Sequence, residues 1–284
     1  MKLSVVIPAY NEKQTLSKLL GAVEGVSVPG FEKEIIIVDD GSTDRTSNVL
    51  SSIKGITVLR HEVNRGYGAS LKSGIKKSSS EYIMIIDADC TYPVESIPEL
   101  LRHLNSYDMV VGARTGEIVK TPFFRKPAKW FLKHFAQYLT KSKIPDLNSG
   151  LRIFRREIAL RFMNLFPDGF SFTTTLTIAC LTNDFRIKYI PINYYERKGK
   201  SKIHPVKDLV GFTNLIFRLT IFFRPLNVFM PISAILFIAG TLKLIRDFVL
   251  FRYFGLGGAT AILAAIQIAF MGMLAELIIK RTSL

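Results

Sequence analysis

Residues 82–93 read YIMIIDADCTYP. The first five form an apolar run with the length and composition of a strand buried on both faces of a parallel sheet. The run stops abruptly at Asp87-Ala88-Asp89. Side chains two apart in a strand point the same way, so both carboxylates can converge at its carboxyl end. Open α/β sheets bind their ligands at that edge. Two like charges this close are costly without a cation between them. Mg²⁺ or Mn²⁺ holding a diphosphate meets that need through hard oxygen donors. The competing reading is two acidic residues opening a solvated turn.

The flanking segments carry the same grammar. Residues 3–8 (LSVVIP) predict a strand that empties into Ala9-Tyr10-Asn11-Glu12, and residues 34–38 (EIIIV) another that ends in Asp39-Asp40-Gly41-Ser42. Residues 56–60 and 109–112 read as further strands, the latter closed by Ala113-Arg114. Between them, helices are expected over 15–23, from Ser42-Thr43-Asp44 to about 52, over 69–77 and over 96–106. Strand and helix alternating at this rhythm predict the α/β class: a mostly parallel, Rossmann-like sheet with helices on both faces. A parallel sheet brings Tyr10/Asn11/Glu12, Asp39/Asp40 and Asp87/Asp89 to one edge. The glycines of residues 64–68 (NRGYG) lack the G-x-G-x-x-G spacing of a dinucleotide site and fit close backbone packing instead.

The charge is uneven. Of a formal net +15, residues 1–112 carry −2, residues 113–224 carry +14 and residues 225–284 carry +3. A basic region directly before the most apolar part of the chain suits a cytoplasmic membrane surface or a phosphate-bearing lipid. Nucleic acid is the competing partner for such charge, and no nucleic-acid-binding motif accompanies it. Cys90 and Cys180 have no paired spacing, which fits a reducing compartment and argues against zinc. Nothing at the N-terminus has the form of a signal peptide.

From residue 121 cations and aromatics mix. Phe131, Phe135 and Tyr138 fall at i, i+4, i+7 among Lys126, Lys129, Lys133 and Lys141, a pattern that suits a bilayer interface or an ordinary helix packed on the sheet. Residues 146–150 (DLNSG) read as a turn and 151–154 as a strand. Helices over 157–165 and 173–182 and a last strand over 186–192 follow. Residues 194–202 (YYERKGKSK) gather four cations and a hydroxyl around one glycine, which suits a phosphate; a solvated surface loop is the bland alternative. Residues 226–242 and 254–275 contain no charged residue and fit two membrane spans, the first somewhat short and extended by its flanks, joined by a brief connection over 243–253. Ala261, Ala265 and Ala269 form a small-residue stripe, read as a helix-contact or homo-oligomer face.

In order, VVIPAYNE, VDDGSTD, NRGYGASLKSG, DADCTYP, DLNSGLRIFRR and ERKGKSK resemble the family 2 glycosyltransferases of the polyprenyl-phosphate type, whose best-known members are dolichyl-phosphate mannose synthases and polyprenyl-phosphate glucosyltransferases. The resemblance covers about residues 3–205, and the C-terminal hairpin is similar to many members' membrane anchors. It implies a GT-A fold, a nucleotide-sugar donor, a divalent metal (Mg²⁺ or Mn²⁺) and inversion at the anomeric carbon. Carried over by position, Pro8, Tyr10, Glu12, Val38 and Asp40 would hold the nucleoside, with Asp39 and Ala88 lining the donor site. Asp87 and Asp89 would bind metal and diphosphate, and Arg114 would lie near the donor. Arg125, Ser149, Arg197, Lys200 and Lys202 would receive the acceptor phosphate. Some mannose synthases carry Gln two residues after the second Asp as an extra metal ligand. Here Thr91 stands there as a weaker hydroxyl ligand, which loosens the assignment to mannose.

The implied organisation is a catalytic domain over 1–205, an amphipathic juxtamembrane helix over 206–224 and a transmembrane hairpin over 225–284. The implied reaction moves a hexose from a GDP-mannose- or UDP-glucose-type donor to a dolichyl or undecaprenyl phosphate at the cytoplasmic membrane face. Asp89, Arg114 and Arg197 are its expected catalytic residues. The alternatives are a same-fold transferase acting on a hydroxyl of a lipid or glycan, and a non-catalytic membrane adaptor.

Overall fold

The computed structural model describes residues 1–115, 134, 136–138, 140–169, 171–195, 219–222 and 224–282. The chain separates into two compact units, Met1–Phe212 and Thr213–Leu284.

In the first unit, β1 (Lys2–Ala9), β2 (Glu32–Asp39), β3 (Thr57–Arg60) and β4 (Tyr82–Ile85) lie parallel, with β1 between β2 and β4. β5 (Met109–Ala113), β6 (Arg152–Arg155) and β7 (Ile187–Pro191) complete a seven-stranded sheet of order β3-β2-β1-β4-β6-β5-β7. β6 pairs antiparallel with both β4 and β5, while β5 and β7 are parallel. The reversal has a positional consequence. β5 runs toward the edge where β1, β2 and β4 end, and β6 starts from that edge. The residues leading into β6 therefore lie beside the carboxyl end of β4.

The apolar runs behave as fully buried strands should: Val5, Val6, Ile7, Ile36, Ile37, Val38, Ile83, Met84 and Ile85 are all but inaccessible. Helix α1 (Leu16–Gly25) buries Leu16, Leu19, Leu20 and Val23, an i, i+3, i+4, i+7 stripe, against them. Each such side chain contributes roughly 1.5–3 kcal/mol of apolar burial. Further helices among the described residues are α2 (Thr46–Ser51), α3 (Tyr67–Lys77), α4 (Ile97–Arg102), α5 (Arg156–Arg161) and α6 (Phe172–Thr182).

Two expectations shift. α2 begins at Thr46 rather than at Ser42, because Ser42 and Thr43 are spent on Asn11: the Asn11 N–H donates to Ser42 Oγ (3.0 Å), and Thr43 N–H donates to Asn11 Oδ1 (2.8 Å). The helix expected over 96–106 is a 3₁₀ turn (Val94–Ser96) followed by the short α4.

The second unit is built on α7 (Leu226–Phe251) and α8 (Leu256–Thr282), with mean hydropathies of 2.1 and 2.2 over their apolar windows. At 1.5 Å per residue each is about 40 Å long, more than a bilayer's hydrocarbon core of about 30 Å. The first span extends past residue 242 into its flank, as its short charge-free stretch requires. It continues to Phe251 because Asp247 pairs with Lys243 (3.1 Å) and Arg246 (2.9 Å), and the turn is confined to the residues after it. The two helices meet at small residues. A Cβ on Gly240 would lie 3.0 Å from the Gly258 carbonyl and 3.1 Å from Ala261 Cβ, and Ser233 Oγ donates to the Ala265 carbonyl (2.8 Å). Ala261 and Ala265 thus serve contact within the hairpin.

Candidate active site

The sheet brings the three polar clusters to one edge, as the strand pattern requires. Asp87 and Asp89 are both half-buried beyond β4. Tyr67, the first residue of α3, donates its hydroxyl to Asp87 Oδ1 (2.9 Å). Gly150 backs onto the same carboxylate: a Cβ there would stand 2.2–2.6 Å from its three outer atoms, so no other residue fits without moving Asp87. Asp89 Oδ1 accepts from the Thr91 hydroxyl (2.6 Å) and the Thr91 N–H (3.2 Å), a local turn made possible by Cys90 at φ +57°.

Among the described residues no group of three or more His, Cys, Asp or Glu could hold a metal ion. A pair of carboxylates does not need one. Mg²⁺-type ions commonly take one or two carboxylates and complete their shell with substrate phosphates and water. The donor set fits such an ion: two carboxylates, each with one oxygen fixed by a hydroxyl. Thr91 is fully buried and its hydroxyl is turned to Asp89, so its position suits an orienting group better than the ligand expected from the sequence.

The other acidic residues serve different ends. Asp39 is 1% exposed and braces its own loop, accepting from Ser42 N–H (3.0 Å) and Ser47 Oγ (2.7 Å). Asp40 accepts the N–H groups of Arg65 (2.9 Å) and Gly66 (2.7 Å) on different oxygens and lies 2.6 Å from His61 Nδ1, whose Nε2 lies 2.9 Å from Ser73 Oγ. Asn11, at φ +57°, ties the loop after β1 to the loop after β2, and Glu12 Oε2 accepts from Thr15 Oγ (2.9 Å). Pro8, Tyr10 and Glu12 are half-buried at this edge, whereas Val38 and Ala88 are buried.

Arg114, just after β5, forms a bidentate fork with Asp146: Nε to Oδ2 at 2.8 Å and Nη2 to Oδ1 at 2.9 Å. Its guanidinium lies 5.2 Å from the centroid of the Tyr194 ring, which meets Tyr92 edge-on. Tyr92 Oη accepts the Gly150 N–H (2.6 Å), so this cluster and the Asp87 cluster share one residue. Burial alone would raise the Asp146 carboxyl, but Arg114 overrides it and holds the pKa at about 2. Burial likewise would lower Arg114, and Tyr92 and Asp146 instead push it well above its ordinary value. The Tyr67 and Tyr92 phenols are pushed upward, first by burial and then, for Tyr67, by Asp87. Both remain protonated at neutral pH.

Ser149, expected from the resemblance to receive the acceptor phosphate, is instead fully buried with its hydroxyl proton given to the Gly112 carbonyl (2.5 Å), so it braces the chain between β5 and β6. Arg152, also fully buried, donates to the Ser149 carbonyl (2.7 and 3.0 Å), the Thr173 carbonyl (3.0 Å) and Thr177 Oγ (2.9 Å). Its burial without a bonded carboxylate lowers its pKa. Arg125, Arg197, Lys200 and Lys202 lie outside the described residues, as do Phe131, Phe135 and most of residues 206–224.

Residues 4–162 match Glycosyl transferase family 2. The chain belongs to this family. Residues 224–280 match a second family, the GtrB C-terminal hairpin, which agrees with the pair α7–α8 and makes this glycosyltransferase-family chain a membrane protein. Over 229 residues it is 31% identical to a dolichol-phosphate mannosyltransferase of Pyrococcus furiosus, covering 77% of this chain and 64% of that protein. It is 28% identical to a dolichyl-phosphate hexose transferase of Haloferax volcanii, covering 72% of this chain and 87% of that protein. Among solved structures, glucosyl-3-phosphoglycerate synthase of Mycobacterium tuberculosis, crystallised with Mn²⁺, UDP and phosphoglyceric acid, superposes with a TM-score of 0.59 at 20% identity over 77% of this chain and 76% of that one. That likeness places the sheet and its helices in the GT-A fold.

Proposed function

We propose that this protein is an inverting, metal-dependent glycosyltransferase that moves a hexose from a nucleotide sugar, of the GDP-mannose or UDP-glucose type, to a polyprenyl phosphate at the cytoplasmic face of the membrane. The observation that carries the reading is the Asp87/Asp89 pair, held by Tyr67, Thr91 and Gly150 at the carboxyl edge of a sheet whose chain also carries a membrane hairpin. The two curated relatives are named for dolichol- or dolichyl-phosphate sugar transfer, which supports the acceptor class.

Asp87 and Asp89 would hold Mg²⁺ or Mn²⁺, which, when bound, neutralises the charge that develops on the departing nucleoside diphosphate. Residues 1–205 form the catalytic domain in this proposal, residues 206–224 the juxtamembrane helix and residues 225–284 the anchor. Pro8, Tyr10, Glu12, Val38 and Asp40 would line the nucleoside site, Asp40 chiefly by holding residues 65 and 66. Arg114, fixed by Asp146, adds positive charge beside the donor. Arg125, Arg197, Lys200 and Lys202 would receive the acceptor phosphate.

The nucleophile needs no dedicated base. A phosphate monoester has a second pKa of roughly 6 and is largely dianionic near pH 7. Its oxygen attacks the anomeric carbon as the bond from that carbon to the diphosphate oxygen breaks on the opposite face, so an α-linked donor gives a β-linked lipid product. The protein's part is to bring two anions together and to screen their repulsion.

Incubation with a donor panel and polyprenyl phosphate, with and without EDTA, tests this through the mass and linkage of the product. The reading expects a β-linked polyprenyl-phosphate hexose that EDTA abolishes, and an Asp89→Asn variant slowed by about 100-fold or more. Transfer to a hydroxyl acceptor instead, or near-normal turnover by Asp89→Asn, would sink it.

A further inference from the structure

We propose that Tyr67 is a positioning residue for the reaction: its hydroxyl sets the orientation of Asp87, and the Gly66-Tyr67-Gly68 junction is built to keep that hydroxyl where it is. This rests on the reading of Asp87 and Asp89 as the pair that would hold the divalent ion.

The phenol reaches Asp87 from the first residue of an eleven-residue helix, and such a residue is normally free to fray. Here the start of α3 is fastened to two other parts of the unit. On one, the Asp40 carboxylate takes the N–H groups of Arg65 and Gly66, which fixes the chain just before Tyr67. On the other, Gly68 N–H donates to the Gly169 carbonyl (3.2 Å) and Ala69 N–H to the Asp168 carbonyl (3.0 Å). Those bonds satisfy N–H groups that a helix start leaves without intrahelical partners.

The fit is close enough to dictate sequence. A Cβ on Gly66 would lie 2.5 Å from the Asp168 carbonyl oxygen, and one on Gly68 would lie 2.1 Å from that of Pro167. Both obstacles are backbone, which cannot swing away as a flexible side chain could. Lys72, one turn further along, donates to the Phe166 carbonyl (3.2 Å) and pairs with Asp168, holding the same loop from the same helix. Gly150 then presses its backbone against the carboxylate that Tyr67 grips. Asp87 is thereby restrained by a hydroxyl from α3 and by the chain entering β6.

A phenylalanine ring would fill the same volume. What the hydroxyl adds is a hydrogen bond to one oxygen of a carboxylate that must present its other face to an ion. Groups in that outer position tune affinity: losing one typically costs 10–100-fold in metal binding or turnover.

The test is Tyr67→Phe, which keeps the ring and removes one oxygen. Mn²⁺ is titrated against purified full-length protein by the loss of the free-ion EPR signal, with saturating UDP or GDP and neither sugar nor lipid present. The expected result is about tenfold weaker Mn²⁺ binding, a melting temperature within a few degrees of wild type, and a fall in kcat with the KM for polyprenyl phosphate unchanged. The same titration on Asp87→Asn, alone and with Tyr67→Phe, should show no further loss from removing the hydroxyl. Wild-type Mn²⁺ affinity in Tyr67→Phe, additive losses in the double variant, failure of Tyr67→Phe to fold, or no Mn²⁺ binding by the wild type with either nucleotide would each overturn the proposal. If the wild type binds Mn²⁺ with nucleotide but glycosylates some other acceptor, the functional reading falls while the role of Tyr67 stands.

Discussion

The two halves of the sheet's functional edge are built on different principles. In the parallel half each polar group follows its strand directly: Asn11 and Glu12 after β1, Asp39 and Asp40 after β2, Asp87 and Asp89 after β4. Their partners are largely backbone N–H groups and hydroxyls, and the half is acidic. In the half around β5, β6 and β7 the contacts rest on guanidinium and phenol groups held by carboxylate, hydroxyl or backbone partners. Arg114 pairs with Asp146, Tyr92 with Gly150 and Arg152 with Thr177. Two guanidiniums lie here, Arg114 half-buried and paired with a carboxylate, Arg152 fully buried and resting on neutral oxygens. One half can present carboxylates to a cation. The other holds its guanidiniums in fixed positions alongside, and the antiparallel β6 is what brings the two together.

Within the second half the Arg114–Asp146 pair should be the most fragile contact, because Arg114 has one carboxylate partner whereas Arg152 is shared among three residues. Asp146→Asn is expected to have the largest effect. It leaves the half-buried Arg114 beside a neutral amide; breaking a fully buried ion pair from one side typically costs about 3–5 kcal/mol, and the lower end of that range is expected here. The same carboxylate predicts a pH dependence. Its pKa falls from an ordinary 3.8 to about 2 on folding. A depressed carboxylate stabilises the fold above its unfolded pKa, so this contribution is complete above about pH 4 and is lost as the pH falls toward 2, about 2 kcal/mol in all. Urea unfolding of the wild type and of Asp146→Asn between pH 2 and 6 checks both expectations. The variant's curve should be flatter across the acid window, and parallel curves would show that Asp146 does not carry the linkage.

Gly150→Ala comes next and strikes the joint between the halves. The added methyl would meet the Asp87 carboxylate at 2.2–2.6 Å, and overpacking of this kind typically costs about 1–3 kcal/mol. Either Asp87 or the chain entering β6 must move. Because the carboxylate sits at the reacting end, turnover should fall by about 100-fold, out of proportion to the loss of stability. Turnover that drops only as far as the folded fraction does would mean the two halves are mechanically independent.

The sequence disclosed these halves unequally, for physical reasons. Strand-end aspartates are legible because an apolar run of fixed period sets where they point, and the parallel rhythm sets which edge they share. Asp146 is not legible in the same way. In residues 146–150 it reads as a turn former, and its partnership with Arg114 depends on β6 inserting antiparallel beside β5, which no local pattern announces. Tyr67 belonged to a glycine-rich loop whose close packing could be expected, but not the loop at 167–169 it packs against. The family resemblance makes Thr91 a metal ligand, whereas the left-handed backbone at Cys90 turns its hydroxyl to Asp89. The first span runs on into its charged flank, as its short charge-free stretch requires, because an i, i+4 ion pair lets a helix continue through charges that hydropathy treats as a stop. Residues 194–202 were the clearest basic signal in the chain, and all but the first two of them lie outside the described residues.

Ser73→Ala is the smallest expected effect and the sharpest check on the acidic half. Ser73 Oγ is 2.9 Å from His61 Nε2, and His61 Nδ1 is 2.6 Å from Asp40, so the serine stands at the far end of a three-residue chain. Such a chain could work as a relay, with the outer hydroxyl setting the imidazole and the imidazole setting the carboxylate. The geometry at Asp40 argues for redundancy instead. The backbone N–H groups of Arg65 and Gly66 already bind both carboxylate oxygens, and they are held by the chain rather than by the serine. Removing Ser73 Oγ should therefore cost about one ordinary hydrogen bond, roughly 0.5–1.5 kcal/mol, and change nucleotide affinity by less than about twofold, as read by calorimetry with UDP or GDP. A loss of tenfold or more would show Asp40 to be as dependent on a single distant partner as Arg114 is, and the contrast between the two halves would collapse.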